Sequence, residues 1–327
     1  MKSIVVIVPY FGELPPFYPM WEKSVLHNES IDFVLFTDDK NVSSIGNLRV
    51  EHMSFEEYKY RIQSRFPFDV CLEKPYKICD FRPAFGYCFS DIIEGYDFWG
   101  YCDLDLTFGD IRSFVSDKIL NDYDRIFVTG HFSLYRNTDK IVKLFMNNGD
   151  YPEYNYTEAF KNNDSCYFDE FRGMELKCLR NGIKVFTGNV FADYKPEGNS
   201  FYNRKKENVI VIWDRGKLYE VTKKGDYKEL LYAHYQKRKM ILENISSNKV
   251  YIAAGIISDK PRDHTELFEF KSGSNLGYKY LFKIKKLKKA IAKYGLLGLY
   301  KKYKRCKEIE KLKNILVLNN NQQVDLV

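Results

Sequence analysis

Asp103 and Asp105 are separated by a single residue, and of all the acidic side chains in the sequence they are the pair whose spacing best suits chemistry. Alternate residues of a strand project to one face, so at a strand end two such carboxylates can converge on one cation. Mg²⁺ and Mn²⁺ prefer hard oxygen ligands and keep waters and substrate phosphates in their shell, so two protein carboxylates suffice to hold a metal–diphosphate. The plain alternative is a pair of solvated acids in a turn. Against it stand the aromatic run Phe98-Trp99-Gly100-Tyr101-Cys102 before the pair and Leu106-Thr107-Phe108-Gly109-Asp110 after it, which keep the acids in an apolar setting.

The elements that must position this pair can be read from hydropathy. Ile4 to Val8 is a β-branched run closed by Pro9 and Gly12, the pattern of a strand buried on both faces of a parallel sheet. A short helix is expected over Trp21 to Asn28 and a second strand over Ile31 to Phe36, ending in Thr37-Asp38-Asp39, which makes a βαβ opening. The stretch Tyr76 to Ile93 has helical spacing interrupted by Pro83. Phe98 to Cys102 reads as a third strand with the acidic pair at its carboxyl end, where open α/β sheets gather ligands. Arg125 to Thr129 reads as a fourth, and Asn208 to Val221 as a hairpin about Asp214-Arg215-Gly216. Together these predict an α/β fold with one mixed sheet flanked by helices.

Seven scattered cysteines, odd in number and never in Cys-x-x-Cys spacing, suggest neither a disulfide framework nor a thiolate zinc site. The first apolar run is too short for a signal-peptide core, and no run reaches the length of a spanning helix, so a cytoplasmic location is expected. Charge is uneven. Between Lys279 and Lys313 lie fourteen Lys or Arg and two Glu, a local net of +12 in a chain whose total is +7, which leaves the rest at −5. A body over 1–245 and an extension over 246–327 are expected.

The segment Phe98 to Asp110, with Lys77-Ile78-Cys79-Asp80-Phe81-Arg82-Pro83-Ala84-Phe85-Gly86 upstream, resembles bacterial glycosyltransferases of the GT-A fold with an Asp-x-Asp motif, the type used in capsule and lipopolysaccharide synthesis. The resemblance spans roughly Ile4 to Met240. It implies that Asp103 and Asp105 hold Mn²⁺ or Mg²⁺ against the diphosphate of a nucleotide sugar, a UDP-sugar by preference, with Leu104 between them against the donor. It also implies that Pro9, Tyr10, Phe11 and Asp38 frame base and ribose, and that Asp80 and Arg82, with Lys77 beside them, face donor sugar or phosphate. An intrahelical salt bridge is the other reading of Lys77, Asp80 and Arg82.

Tyr232-Ala233-His234-Tyr235-Gln236-Lys237 resembles a late motif in which such enzymes supply a third metal ligand from a histidine, here His234, with Lys237 near the departing diphosphate. The other reading is a surface histidine beside a basic run. Asp169 and Glu170, set between aromatics, resemble the acceptor-side carboxylates of these transferases, helix capping being the alternative. Gly130 to Asn137, with His131, could line the acceptor side.

In the extension, Tyr280, Ile284, Leu287, Ile291 and Tyr294 recur at three and four residues among lysines, the pattern of a basic amphipathic helix on an anionic membrane surface. That would hold the protein peripherally at the inner face of the plasma membrane, near a saccharide or lipid-linked acceptor. Nucleic acid is disfavoured because the acidic body offers no second basic surface and no nucleic-acid motif occurs. A non-catalytic, membrane-associated nucleotide-sugar-binding or partner subunit of a glycan-assembly complex is the rival function; a phosphoryl-transfer enzyme ranks lower because neither more clustered acids nor a phosphate-cradling glycine loop is present.

Overall fold

The computed structural model describes residues 1–188, 190–194, 201–203, 207–236, 240–253, 255–260 and 276–319, apart from the side chains of 276–283, 285, 286, 318 and 319. The amino-terminal apolar run forms β1 (Ile4–Pro9), parallel to β2 (Asp32–Thr37) on one side and β4 (Phe98–Cys102) on the other. Adding β3 (Leu48–His52), β6 (Arg125–Thr129), β7 (Phe132–Arg136) and β8 (Val185–Phe186) gives, among the described residues, a seven-stranded mixed sheet in the order β3-β2-β1-β4-β7-β6-β8. Successive residues of β1 serve opposite faces: Val5 and Ile7 join one apolar cluster, and Ile4, Val6 and Val8 another. Burial on both sides explains why the strand is apolar throughout rather than alternating.

A second sheet lies beside the first. It contains β5 (Leu106–Phe108), β9 (Phe191–Tyr194), β10 (Phe201–Tyr202), β11 (Asn208–Asp214), β12 (Lys217–Thr222), β13 (Tyr227–Leu230), β14 (Tyr232–His234), β15 (Ile241–Leu242), β16 (Lys249–Ala253) and β17 (Ile256–Ser258). The expected hairpin is β11–β12, and its turn places Arg215 at φ 49° and Gly216 at φ 84°, the left-handed backbone a tight hairpin needs. β16 pairs with β11 across the expected boundary at 245, so the body runs on to at least Ser258.

Helix Tyr18–Leu26 fills the angle between the sheets, with Trp21 and Val25 in the cluster against β1 and Met20 in the cluster of the second sheet. Just past it, Asn28 donates from Nδ2 to the Gly109 carbonyl (2.9 Å) and accepts from the Ile111 amide (2.9 Å), which fixes the chain leaving β5. The stretch expected to be helical around Pro83 is a chain of single turns, Pro75–Lys77, Ile78–Phe81, Arg82–Ala84, Phe85–Cys88 and Ser90–Ile93. Pro83 accounts for the break at Arg82–Ala84. β3 and helix Phe55–Gln63 have no counterpart in the sequence reading, although Ser54 and Glu57 form a capping box there.

The extension is helix Leu276–Asn319, bent at Gly295 (φ 64°). Beyond the bend it docks on the body instead of standing free. Ile309 is buried in the cluster that also holds Phe160 and Met174; Lys302 and Lys293 reach Asp164 (2.9 and 2.5 Å), and Lys313 reaches Glu175 (2.6 Å). Arg305 pairs with Glu158 and lies 3.5 Å from the centre of the Tyr154 ring. The whole of 279–313 is therefore not available as a membrane-facing surface, because the acidic body takes several of its cations. Among the described residues, no helix is long and apolar enough to cross a membrane.

Candidate metal and substrate site

The carboxyl end of β4 delivers the acidic pair. The Asp103 amide continues the strand ladder to the His131 carbonyl (2.9 Å), and the Asp105 carbonyl accepts from the Tyr235 amide (2.9 Å), so both residues are fixed through backbone. β5 pairs with β14 so that Leu106 stands opposite His234. One ligand atom from each of Asp103, Asp105 and His234 then lies within 4.8 Å of the others. His234 Nε2 is 3.6 Å from Asp105 Oδ2, and its Nδ1 is 3.1 Å from Asp193 Oδ1. Burial alone would lower this imidazole's pKa, but Asp105 and Asp193 outweigh it and push the value up to about 10. In the metal-free protein the proton therefore balances the carboxylates. Two carboxylates and an imidazole are a donor set that fits a divalent cation such as Mn²⁺ better than the oxygen-seeking Mg²⁺.

The His234 ring stacks on His131, centroids 4.3 Å apart at 20°. His131 is hydrogen-bonded through Nδ1 to the Tyr232 hydroxyl (2.9 Å), and burial followed by the charge of His234 keeps it neutral. It packs directly behind His234 in the same cavity wall.

Facing this group is a cavity of about 780 Å³. Its wall includes Pro9, Tyr10 and Phe11, as well as Arg82, Asp103, Gly130, Asp169, Glu170 and His234. Arg82 spans it: one guanidinium nitrogen binds Asp103, the other binds Asp169 Oδ2 (3.1 Å) and the Gly130 carbonyl. Asp169 is pushed up to about 8 by burial, Arg82 opposing and Glu170 and Asp80 assisting. Glu170 is raised too, by burial, although it accepts from the Gly130 amide (3.0 Å). Gly130 is what lets these acids approach. A Cβ there would come within 2.3 Å of Glu170 Oε1 and 3.1 Å of Asp169 Oδ2. Cys79 also lines the cavity, but burial, with Asp169 and Asp80, pushes its thiol up to about 12, so it is not a nucleophile at neutral pH.

Several residues expected at the donor lie elsewhere. Asp80 is fully buried and takes the Cys166 amide on Oδ2 (2.8 Å) and the Phe168 amide on Oδ1 (2.9 Å). That grip bends the loop so that Tyr167 sits at φ 55°, a region non-glycine residues rarely adopt, and it presents Asp169 to the cavity. Lys77 is equally buried, its Nζ donating to Asp80 Oδ2 (2.6 Å) and the carbonyls of Ala159 (2.8 Å) and Asp164 (2.7 Å). Both are therefore loop anchors, which corrects their expected donor contact. The salt-bridge reading holds for Lys77–Asp80, while Arg82 alone of the three faces the cavity. Leu104 turns its side chain into the apolar cluster around Trp21. Asp38 is off the cavity wall and accepts from the Gly12 amide (2.8 Å), tying the ends of β1 and β2 together. Lys237 lies outside the described residues. Asp193 and the reason for Gly130 went unseen in the sequence: the first sits in Phe191-Ala192-Asp193-Tyr194 with no spacing to another acid, and the second is one of nineteen glycines.

Fold and site define a mixed α/β protein with an acidic–imidazole centre at the carboxyl end of its sheet. The chain belongs to the family described as a family of unknown function, DUF6625, whose model matches residues 6–261. No curated protein matches it in sequence. Among solved structures it is similar to the galactosyltransferase LgtC in complex with donor and acceptor sugar analogs, at 12% identity and a TM-score of 0.37 over 73% of this chain and 88% of that one. An active-site mutant of LgtC aligns at 13% identity and a TM-score of 0.35, over 72% and 87%.

Proposed function

We propose that this protein is a divalent-metal-dependent glycosyltransferase that moves a sugar from a nucleotide-diphosphate donor, UDP-sugar first, to a saccharide or lipid-linked acceptor in bacterial surface-polysaccharide synthesis. The observation that carries this reading is the convergence of Asp103, Asp105 and His234 on one side of a cavity whose other side is closed by Arg82 and Asp169. Mn²⁺ or Mg²⁺ bound there would supply Lewis-acid stabilisation of the leaving diphosphate. Asp103 and Asp105 would hold the ion through oxygen and His234 through Nε2. Arg82, bound to Asp103 in the metal-free protein, supplies a fixed positive charge for phosphate oxygens. Asp169, poised near neutral pH by burial, accepts the proton of the acceptor hydroxyl once ionised.

Calorimetry of UDP and GDP with and without Mn²⁺ tests this directly. Metal-dependent binding of one of them is expected; binding of neither would leave a non-catalytic subunit that binds a partner transferase as the better account. The helix side chains Leu287, Leu296, Leu297, Tyr300 and Tyr303 are exposed among lysines, and this supports a peripheral seat on an anionic bilayer at the cytoplasmic face. Co-sedimentation with phosphatidylglycerol vesicles but not phosphatidylcholine vesicles is the expected outcome, and equal recovery with both would refute the electrostatic seat.

A further inference from the structure

Directly behind the metal side stands Asp193, a residue that no motif singles out. β9 and β14 run parallel in register with His234 opposite Asp193, so the two side chains leave the sheet on the same face. One Asp193 oxygen lies 3.1 Å from His234 Nδ1; the other accepts from Gln236 Nε2 at 2.6 Å. The other imidazole nitrogen, Nε2, faces Asp105. A neutral imidazole carries its proton on either nitrogen, and only the tautomer with Nδ1 protonated leaves Nε2 free to bind a cation.

We infer that Asp193 is a positioning residue for the metal site: it accepts the Nδ1 proton of His234, fixes that tautomer and ring angle, and is itself oriented by Gln236. This rests on the proposed reading of Asp103, Asp105 and His234 as ligands. It adds a chain Gln236–Asp193–His234 running from the cavity wall to the ligand atom. A strand-stabilising role for Asp193 alone would predict a lower melting temperature without a specific link to His234, and the link is what can be measured.

The experiment is a Mn²⁺ titration of the full chain with UDP or GDP present, free Mn²⁺ being read by electron paramagnetic resonance. Asp193→Ala should weaken Mn²⁺ binding by about 10-fold or more, the usual cost of losing such an outer partner. Gln236→Ala should weaken it less. In a His234→Ala background, Asp193→Ala should cause no further loss. Thermal melting of each variant checks folding, and should Asp193→Ala fail to fold, Gln236→Ala with and without His234→Ala carries the same comparison. Unchanged affinity in Asp193→Ala, or an equal further loss without His234, overturns the inference while leaving the metal site intact. A wild type that binds no Mn²⁺, or binds it equally without His234, overturns the metal reading and this inference with it.

Discussion

Asp103, Asp169 and Glu170 line one cavity, with Asp105 beside Asp103, and the fold surrounds the two pairs of carboxylates differently. Asp103 and Asp105 sit at strand ends beside cations: Arg82 touches the first, and His234, pushed up to about 10, faces the second. Across the cavity, Asp169 is pushed up to about 8 by burial even though Arg82 is bonded to it, and Glu170 is raised as well. The first pair lies beside cations; in the second, burial favours the protonated form of both acids, to about 8 for Asp169. Residue type does not distinguish the pairs. The further neighbours do: His234 faces Asp105, whereas Glu170 and Asp80 add negative charge beside buried Asp169.

The largest test of this contrast is removal of a metal-side acid. Asp105→Ala should abolish Mn²⁺-dependent nucleotide binding and reduce donor turnover by on the order of 10³-fold, read as nucleotide release. Full turnover would mean that the pair is not the metal site. Asp169→Asn should cost on the order of 10²-fold in turnover while leaving Mn²⁺ and nucleotide affinity intact. In the wild type, log(kcat/KM) should climb with pH toward about 8, as Asp169 loses its proton. A profile flat from pH 6 to 9 would remove Asp169 from the role of base.

Melting temperatures sharpen the contrast at smaller amplitude. The Asp169 carboxyl, raised from 3.8 to about 8, keeps its proton in the folded state where the unfolded chain releases it, so stability falls as pH rises through that window. Asp169→Asn should therefore gain on the wild type between those pH values and stay level above them. His234, raised from 6.5 to about 10, contributes stability that is complete below the lower value and lost as pH passes the upper one. The deficit of His234→Ala in metal-free buffer should shrink over that higher window. Lys302→Ala, at a partly exposed pair with Asp164, should cost no more than about 1 kcal/mol in chemical denaturation.

How much of this was legible follows from the range of each interaction. Asp103 and Asp105 could be read because they stand one residue apart directly after an apolar strand, in the short bend between β4 and β5, and β1, β2, β4 and the β11–β12 hairpin announce themselves by uninterrupted apolar runs or turn residues. Lys77, Asp80 and Arg82 show where that logic ends. Within six residues, two turned inward to anchor the 164–168 loop and one turned to the cavity, a choice made by chain 21 to 88 positions away. The basic helix teaches the same lesson: its periodicity was readable, but its partners Asp164, Glu158 and Glu175 were not. Asp193 meets His234 only through parallel pairing of two short strands, which no local pattern encodes.

Gly130 carries a constraint of its own. With Glu170 Oε1 only 2.3 Å from where a Cβ would stand, a side chain at this position would turn the flexible end of Glu170 away from the Gly130 amide it now accepts from. Relatives that carry a side chain there should therefore hold the counterpart of Glu170 in another orientation, its carboxylate no longer tied to this backbone amide.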